Sequence, residues 1–424
     1  MQIIQEVKKE ILNRSIRTKE KSDEFGEVFT PFSLISDMLD LVKEEDWSNP
    51  ETTFYDPCAG KGNFPILIIE RLFEGLKGVI PDEQKRINHI LRNQLFMTEY
   101  QEDSYEETKR ILSRFGVVLN FKLGNALEIF SQEFGVERFT YTTANPPYQS
   151  PDTRRRIFNK FIEHTQIFSD NQIYVIPSSW IYNSNLSSKF KSYGLDQVRY
   201  YPRDIFGILL RFSISVIRLS NSPKENITIT KDGESYQVGP RDIILDCTAD
   251  QYSFLKAVHD LPSLDLKRGV TTPPRGVRKN VTQERLGDNF SVEKTERFKY
   301  KTALFAQAEL RPDLYIYCHT EEPNYSFPTV NFQLVGGGSG TIGKAYFVDQ
   351  GIQCLDNQYY TPVRDREHGE EVIDYLQSDV IKYIVSLTKI NDVMTTHKNS
   401  LDFIPELQYR DQVESLYKSL EKSH

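Results

Sequence analysis

The segment with the most pointed chemistry is Asn145-Pro146-Pro147-Tyr148, which follows the apolar–threonine run Phe139–Thr143. Two consecutive prolines fix the backbone and remove two N–H donors. The Asn145 side-chain oxygen and the Pro146 carbonyl can then face one small space with no competing donor. Two acceptors converging on a point suit an NH2 group. They would hold an exocyclic amine and stabilise the positive charge that develops as it attacks an electrophilic carbon. Tyr148 adds a flat face on which a planar base can stack. The plainer alternative is a rigid turn whose tyrosine caps the core. Such a quartet arises by chance in a chain of this length about one time in a thousand, which favours the functional reading.

Three further polar positions fall where short apolar runs end. Asp56-Pro57-Cys58-Ala59-Gly60-Lys61-Gly62-Asn63-Phe64 follows the run Thr52–Tyr55. Its glycines permit a tight turn and close backbone approach to a ligand, and Asp56 could accept from a ligand ammonium. Glu99 ends the run Gln94–Thr98, where a carboxylate can take both hydroxyls of a ribose. Asn125, after Gly124, suits an adenine edge. Each residue taken singly is equally well a turn residue or a helix cap. The glycine segment matches neither GxGxxG nor GxxxxGK[ST], so a nucleotide phosphate is not the expected guest.

The elements that must position these residues form a strand–loop–helix rhythm. Strands are expected at 52–55, 94–98, 120–123, 139–143 and 173–176. Helices are expected over the first twenty or so residues, after Pro31 with Thr30 as N-cap and the proline at the first helical position, over 63–75 and over 103–115. Strands alternating with helices predict an open, largely parallel, doubly wound α/β sheet, whose ligands bind outside the carboxyl ends of its strands. Arg199–Pro202 and Phe212–Leu219 read as antiparallel closing strands. The rhythm stops near Ser220. A hairpin at Ile227–Gly239, turning at Asp232-Gly233, falls in a connecting stretch, 221–245. Residues 246–424 read as a separate α+β module of short strands and turns, closed by one helix at Val372–Leu387.

In this order the motifs resemble the amino-methyltransferase branch of DNA methyltransferases. Asp-Pro-x-x-Gly-x-Gly at 56–62, the acidic Glu99 and Asn-Pro-Pro-Tyr at 145–148 carry the resemblance. Gly26-Glu27-Val28-Phe29-Thr30-Pro31, ahead of them, is similar to the extra cofactor motif in the order of the gamma class. Ile176–Trp180 and Asp204-Ile205-Phe206 match later motifs. The resemblance covers about residues 20–220. It implies a Rossmann-like methyltransferase sheet at 1–220, a C-terminal α+β target-recognition domain at 246–424, and S-adenosylmethionine as cofactor. By the same resemblance, Thr30 and Asp56 contact the methionine part of the cofactor and Glu99 its ribose. Phe29, Pro31, Cys58, Gly60, Gly62, Asn63, Phe64 and Ala126 line that pocket, with Asn145 at its border. Asn125 stands where the family usually carries Asp against the cofactor adenine. Asn145, Pro146 and Pro147 form the catalytic turn, and Tyr148 and Phe206 sandwich a flipped base.

The expected reaction is methylation of the N6 amine of adenine in duplex DNA. N4 of cytosine stays open beside it. A C5 enzyme needs a nucleophilic Pro-Cys, and the one such pair here, Pro57-Cys58, lies inside the cofactor motif. The same quartet also suits methylation of RNA adenine or of protein glutamine. A different class of reading is a non-catalytic specificity subunit with this fold. Arg154, Arg155 and Arg156 could clamp phosphates or be a solvated helix start. Arg275, Arg278 and Lys279, in the proline-bearing stretch 271–279, could enter a groove or belong to a linker.

Bulk properties set the frame. The net charge of −8 is unlike that of most nucleic-acid binders, but residues 261–311 hold eleven Lys and Arg against six Asp and Glu. A basic segment on an acidic chain can still track phosphates. The four cysteines are scattered, so neither a zinc site nor a disulfide framework is expected, and no metal is assigned. No stretch nears the ~18 apolar residues of a membrane span, and the N-terminus lacks the apolar run of a secretory leader. The expectation is a cytoplasmic monomer of bacterial or phage origin, with a cognate restriction endonuclease as an associated partner.

Overall fold

The computed structural model describes residues 2–19, 30–149, 156–210, 212–269, 286, 288, 290–303, 315–332, 342–354, 358–388 and 401–422. Chain contacts divide it into two units, Met1–Ile244 and Leu245–His424.

The first unit is built on one sheet. Its strands are β1 (Phe54–Asp56), β2 (Leu95–Glu99), β3 (Asn120–Leu123), β4 (Phe139–Ala144), β5 (Ser169–Pro177), β6 (Leu195–Tyr201), β7 (Ile214–Ser220), β8 (Ile227–Lys231) and β9 (Glu234–Val238). They lie in the order β3-β2-β1-β4-β5-β7-β6-β8-β9. The first five pair in parallel, whereas β7 runs antiparallel to both β5 and β6. β1 and β2 are buried along their whole length, as expected of parallel strands covered on both faces. The order reverses between β1 and β4. A crevice therefore opens beyond their carboxyl ends, the usual ligand position on such sheets. The hairpin at 227–239 is continuous with this sheet, because β8 pairs in parallel with β6. Asp232 (φ 52°) and Gly233 (φ 84°) are both left-handed, as a two-residue turn matching strand twist requires.

Helices cover the sheet: α1 (Gln2–Lys19), α2 (Phe32–Leu39), α3 (Asn63–Gly75), α4 (Glu83–His89), α5 (Glu102–Leu112), α6 (Phe158–Thr165) and α7 (Ser184–Ser192). The apolar stripe of α1, through Ile4, Val7 and Ile11, is buried in the same core as α2, α3 and β1. Aromatic rings brace β1 on both sides. Phe54 stacks between Trp47 and Tyr141 at 5.1 and 5.3 Å, and Tyr55 stacks on Phe139 at 4.7 Å. Each such pair adds about 0.5–1.5 kcal/mol beyond its buried area. After β5, fully buried Trp180 donates from Nε1 to Ser215 Oγ on β7 at 2.8 Å. This bond ties the turn at the end of β5 to the antiparallel strand.

Among its described residues the second unit holds two four-stranded sheets. One comprises β10 (Lys267–Arg268), β14 (Thr329–Phe332), β15 (Tyr346–Val348) and β17 (Tyr359–Pro362). The other comprises β11 (Phe290–Ser291), β12 (Tyr300–Ala303), β13 (Tyr315–Cys318) and β16 (Ile352–Cys354). Its helices are α8 (Ala249–His259), α9 (Arg366–Leu376), α10 (Asp379–Thr388) and α11 (Arg410–Glu421). They share a core with β14 and β15 through residues such as Leu255, Phe332, Ile381 and Phe403.

Three local expectations are corrected. The single helix at 372–387 is two helices, α9 and α10, broken where Ser378 Oγ bonds the Tyr375 carbonyl at 2.7 Å. The last helix of the chain is α11, whose buried stripe is reduced to Val413 and Leu420. Pro31, not Thr30, is the N-cap of α2, and it makes no side-chain cap bond. The Thr30 hydroxyl is engaged elsewhere, as the site shows.

Candidate active site

Asp56, the last residue of β1, is fully buried. Its Oδ1 accepts from the Cys58 N–H at 3.0 Å, while Oδ2 is buried with no hydrogen-bond partner among the described residues. Burial pushes this carboxyl up to about 8, with repulsion from Glu99 adding to the rise and the Cys58 bond opposing it. The half-buried Cys58 thiol is likewise raised by burial, so it is no thiolate nucleophile. Across the next strand end, both oxygens of Glu99 accept backbone N–H bonds, from Gly60 and from Gln101, each at 2.7 Å. These two bonds hold the carboxylate at the mouth of the glycine turn, next to Gly60.

The turn between Asp56 and α3 runs through Gly60 (φ 49°) and Gly62 (φ 88°). These are left-handed values that L residues rarely adopt. Thr108 on α5 donates its hydroxyl to the Gly60 carbonyl at 2.8 Å. Asn63 opens α3 and donates to the Thr30 carbonyl at 2.9 Å, leaving its Oδ1 buried and unpartnered among the described residues. Phe64 and Ala126 are buried. Asn125 spends its side chain locally: Oδ1 accepts from Leu127 N at 3.1 Å and Nδ2 donates to Glu128 at 2.8 Å.

Asn145 follows β4, on the other side of the reversal point. Its Nδ2 donates to Thr30 Oγ1 at 2.9 Å. Its Oδ1 is buried and has no partner among the described residues. The threonine thus fixes which way the amide faces and leaves the oxygen available. Pro146 is buried and Pro147 exposed. Tyr148 packs on the same core cluster to which buried Phe206 belongs. Burial raises its phenol far above the usual range, and its hydroxyl has no partner among the described residues. Phe206 sits in a tight turn, where Gly207 N bonds Asp204 O at 2.6 Å and Leu210 N bonds Arg203 O at 3.0 Å.

The fold therefore brings Thr30, Asp56, Glu99, Asn145 and the glycine turn to neighbouring strand ends, and packs both Tyr148 and Phe206 on the main hydrophobic core of the unit. Arg156 is exposed, with its guanidinium 5.6 Å from the Phe158 ring. Phe29, Arg154, Arg155, Arg275, Arg278 and Lys279 lie outside the described residues. Sequence reasoning missed two roles. Thr108 looked like one polar residue in a charged helix. Thr30 was expected at a helix cap and, by the resemblance, against the cofactor, but its bond to the Asn145 amide was not anticipated.

The strand order, the antiparallel β7 and the polar residues at the carboxyl ends define a Rossmann-like methyltransferase fold. No protein-family model matches the chain. A 73-residue segment is 44% identical to a protein of Mycoplasma pneumoniae described as an uncharacterized adenine-specific methylase, covering 16% of this chain and 17% of that one. Among solved structures, a nuclease-deletion mutant of the Type ISP restriction–modification enzyme LlaGI, in complex with a DNA substrate mimic, aligns over 94% of the chain and 48% of its own. The TM-score is 0.54 at 12% identity. The Type IIL restriction–modification enzyme MmeI, in complex with DNA, aligns over 98% and 69%, with a TM-score of 0.44 at 13% identity. The chain thus spans about half of the LlaGI structure, and the matched segment less than a fifth of the methylase. The resemblance read from the motifs, to adenine-type amino-methyltransferases, is borne out by that homologous segment.

Proposed function

We propose that the chain is a site-specific DNA methyltransferase that moves a methyl group from S-adenosylmethionine to the N6 amine of an adenine turned out of the duplex. One observation carries the proposal: Asn145 Oδ1 is a buried, unpartnered acceptor whose orientation is set by the Thr30 hydroxyl. A buried acceptor left unpaired costs about 1–3 kcal/mol, and a substrate amine offers the missing donor. Asn145 supplies that acceptor without a charge, which a buried Asp would bring.

The residues fit the cofactor. Asp56 Oδ2 is an orphaned carboxylate oxygen suited to an ammonium, and the Glu99 carboxylate, held by the Gly60 and Gln101 N–H groups, is an acceptor of the kind that takes ribose hydroxyls. When bound, S-adenosylmethionine supplies a methyl group activated by its sulfonium. The protein does the rest. Asn145 Oδ1 and the Pro146 carbonyl draw on the amine's two N–H bonds, raise electron density on nitrogen and stabilise the charge it gains. Neither group is a base, so the surplus proton leaves to water. Tyr148 and Phe206 stack on the base, each at about 1–3 kcal/mol, against the few kcal/mol that unstacking costs.

The adenine specificity of the relative favours this base. The second unit is then the target-recognition domain and duplex DNA the substrate, with a cognate endonuclease as the expected partner and a monomer as the expected state. No helix among the described residues is long and apolar enough to cross a membrane. The test is transfer of labelled methyl from S-adenosylmethionine to unmodified duplex DNA, with RNA and bulk protein in parallel and nucleoside digestion afterwards. N6-methyladenine from DNA alone is the expected product. Label in RNA or protein overturns the substrate, and label in no sample favours a non-catalytic specificity subunit.

A further inference from the structure

Gly60 is held on both sides. Its N–H is bonded to Glu99 Oε2 at 2.7 Å and its carbonyl accepts from Thr108 Oγ1 at 2.8 Å. The direction of the second bond is not free. Arg14, on the N-terminal helix α1, donates from Nη1 into Thr108 Oγ1 at 3.1 Å. A hydroxyl has one proton to give. With a guanidinium donating into its oxygen, that proton is directed to Gly60. Arg14 is itself anchored: Nη2 meets Glu107 Oε2 at 2.6 Å, and its side chain is only 11% exposed.

The same threonine also shapes the second glycine. A Cβ built on Gly62 would lie 3.1 Å from Thr108 Cγ2 and 3.4 Å from Ile11 Cδ1 of α1. Thr108 therefore uses its hydroxyl on Gly60 and its methyl against Gly62. Serine lacks the methyl and valine the hydroxyl.

We propose that Thr108, directed by Arg14, is a positioning residue for the glycine turn, and that α1 is thereby a working part of the cofactor site. This rests on the assignment of that turn to S-adenosylmethionine. Thr108 acts through Gly60 and Glu99 and touches no reacting atom. Its loss therefore weakens cofactor binding and leaves the methyl-transfer step alone.

The test uses the full-length chain and calorimetric titration with S-adenosylmethionine, alongside steady-state kinetics on duplex DNA. Thr108→Val, which keeps the shape, is expected to raise the cofactor Kd and KM roughly tenfold, the scale of one hydrogen bond, with kcat within twofold of wild type. Thr108→Ser is expected to restore most of the affinity. Arg14→Met is expected to give a smaller rise, and the double variant Arg14→Met, Thr108→Val to be no worse than Thr108→Val alone, since residues acting through one bond do not add. Thermal melting of each variant separates a binding loss from a folding loss. Thr108→Val with wild-type affinity, or additive effects of the two substitutions, overturns the proposal. Wild-type protein that fails to bind S-adenosylmethionine overturns the cofactor assignment itself, a different result from binding that the variants leave unchanged.

Discussion

At the scale of single residues, the polar atoms of the site divide into those that are tied and those that are left open. Asn145 shows both in one amide: Nδ2 is tied to Thr30 and Oδ1 is open. Asn145→Ala is expected to lower methyl transfer about a hundredfold or more, as removal of one such stabilising group does elsewhere, with cofactor binding changed only a few-fold. Thr30→Val frees the amide to turn and is expected to cost less, in kcat more than in KM; steady-state kinetics on duplex DNA checks both. Asp56 gives a pH signature. Its carboxyl stands at about 8 in the fold and near 3.9 in an unfolded chain. A raised carboxyl contributes stability that is present below the unfolded value and is lost as pH rises through the folded one. Stability relative to Asp56→Asn should therefore fall from about pH 4 to about pH 8 in denaturant titrations. A bound ammonium favours the carboxylate, so cofactor affinity should climb between about pH 6 and pH 8 and lose that slope in Asp56→Asn. The residues at strand ends were legible in the sequence because a short apolar run that stops at Asp, Glu or Asn-Pro-Pro marks its own carboxyl end. The cap reading of Thr30 failed because a threonine before Pro at a helix start fits a local cap as well as a bond to Asn145, 115 positions away.

At the scale of elements, parallel strands buried on both faces were readable as continuous apolar runs, and α3 appears over the same residues as expected. What local pattern could not supply was pairing. Nothing in the ITITK run announces that it will join β6. Nor does the polar surface of α11 mark it as the closing helix, since its buried stripe is so thin. Long-range packing also fixes single backbone positions. Gly194, between α7 and β6, has φ 83°, and a methyl group there would overlap the Ser220 carbonyl oxygen at the end of β7. Gly194→Ala combines backbone strain with a clash against main chain. It is expected to destabilise the first unit by at least ~2–3 kcal/mol, measured by thermal or denaturant unfolding. Gly78→Ala, with open space around it, is the matched control and should change little.

At the scale of the whole molecule, cofactor and catalytic candidates all lie in Met1–Ile244. A chain ending at Ile244 is expected to keep S-adenosylmethionine binding and to lose site-specific methylation of duplex DNA, by titration and by methyl-transfer assay respectively. The sequence showed that the α/β rhythm stops near residue 220. It did not show that the sheet runs on through two more strands, because a hairpin looks the same whether it joins a sheet or stands alone. The unequal placement of indole side chains has a practical outcome. The chain has two tryptophans, and both are buried in the first unit, Trp47 stacked on Phe54 and Trp180 bonded to Ser215. Intrinsic fluorescence excited at the indole band is therefore a spectroscopic tag for that unit alone, whereas circular dichroism reports on both. Should the two units melt separately, the two signals will part on one temperature ramp, and added S-adenosylmethionine will move the fluorescence transition first.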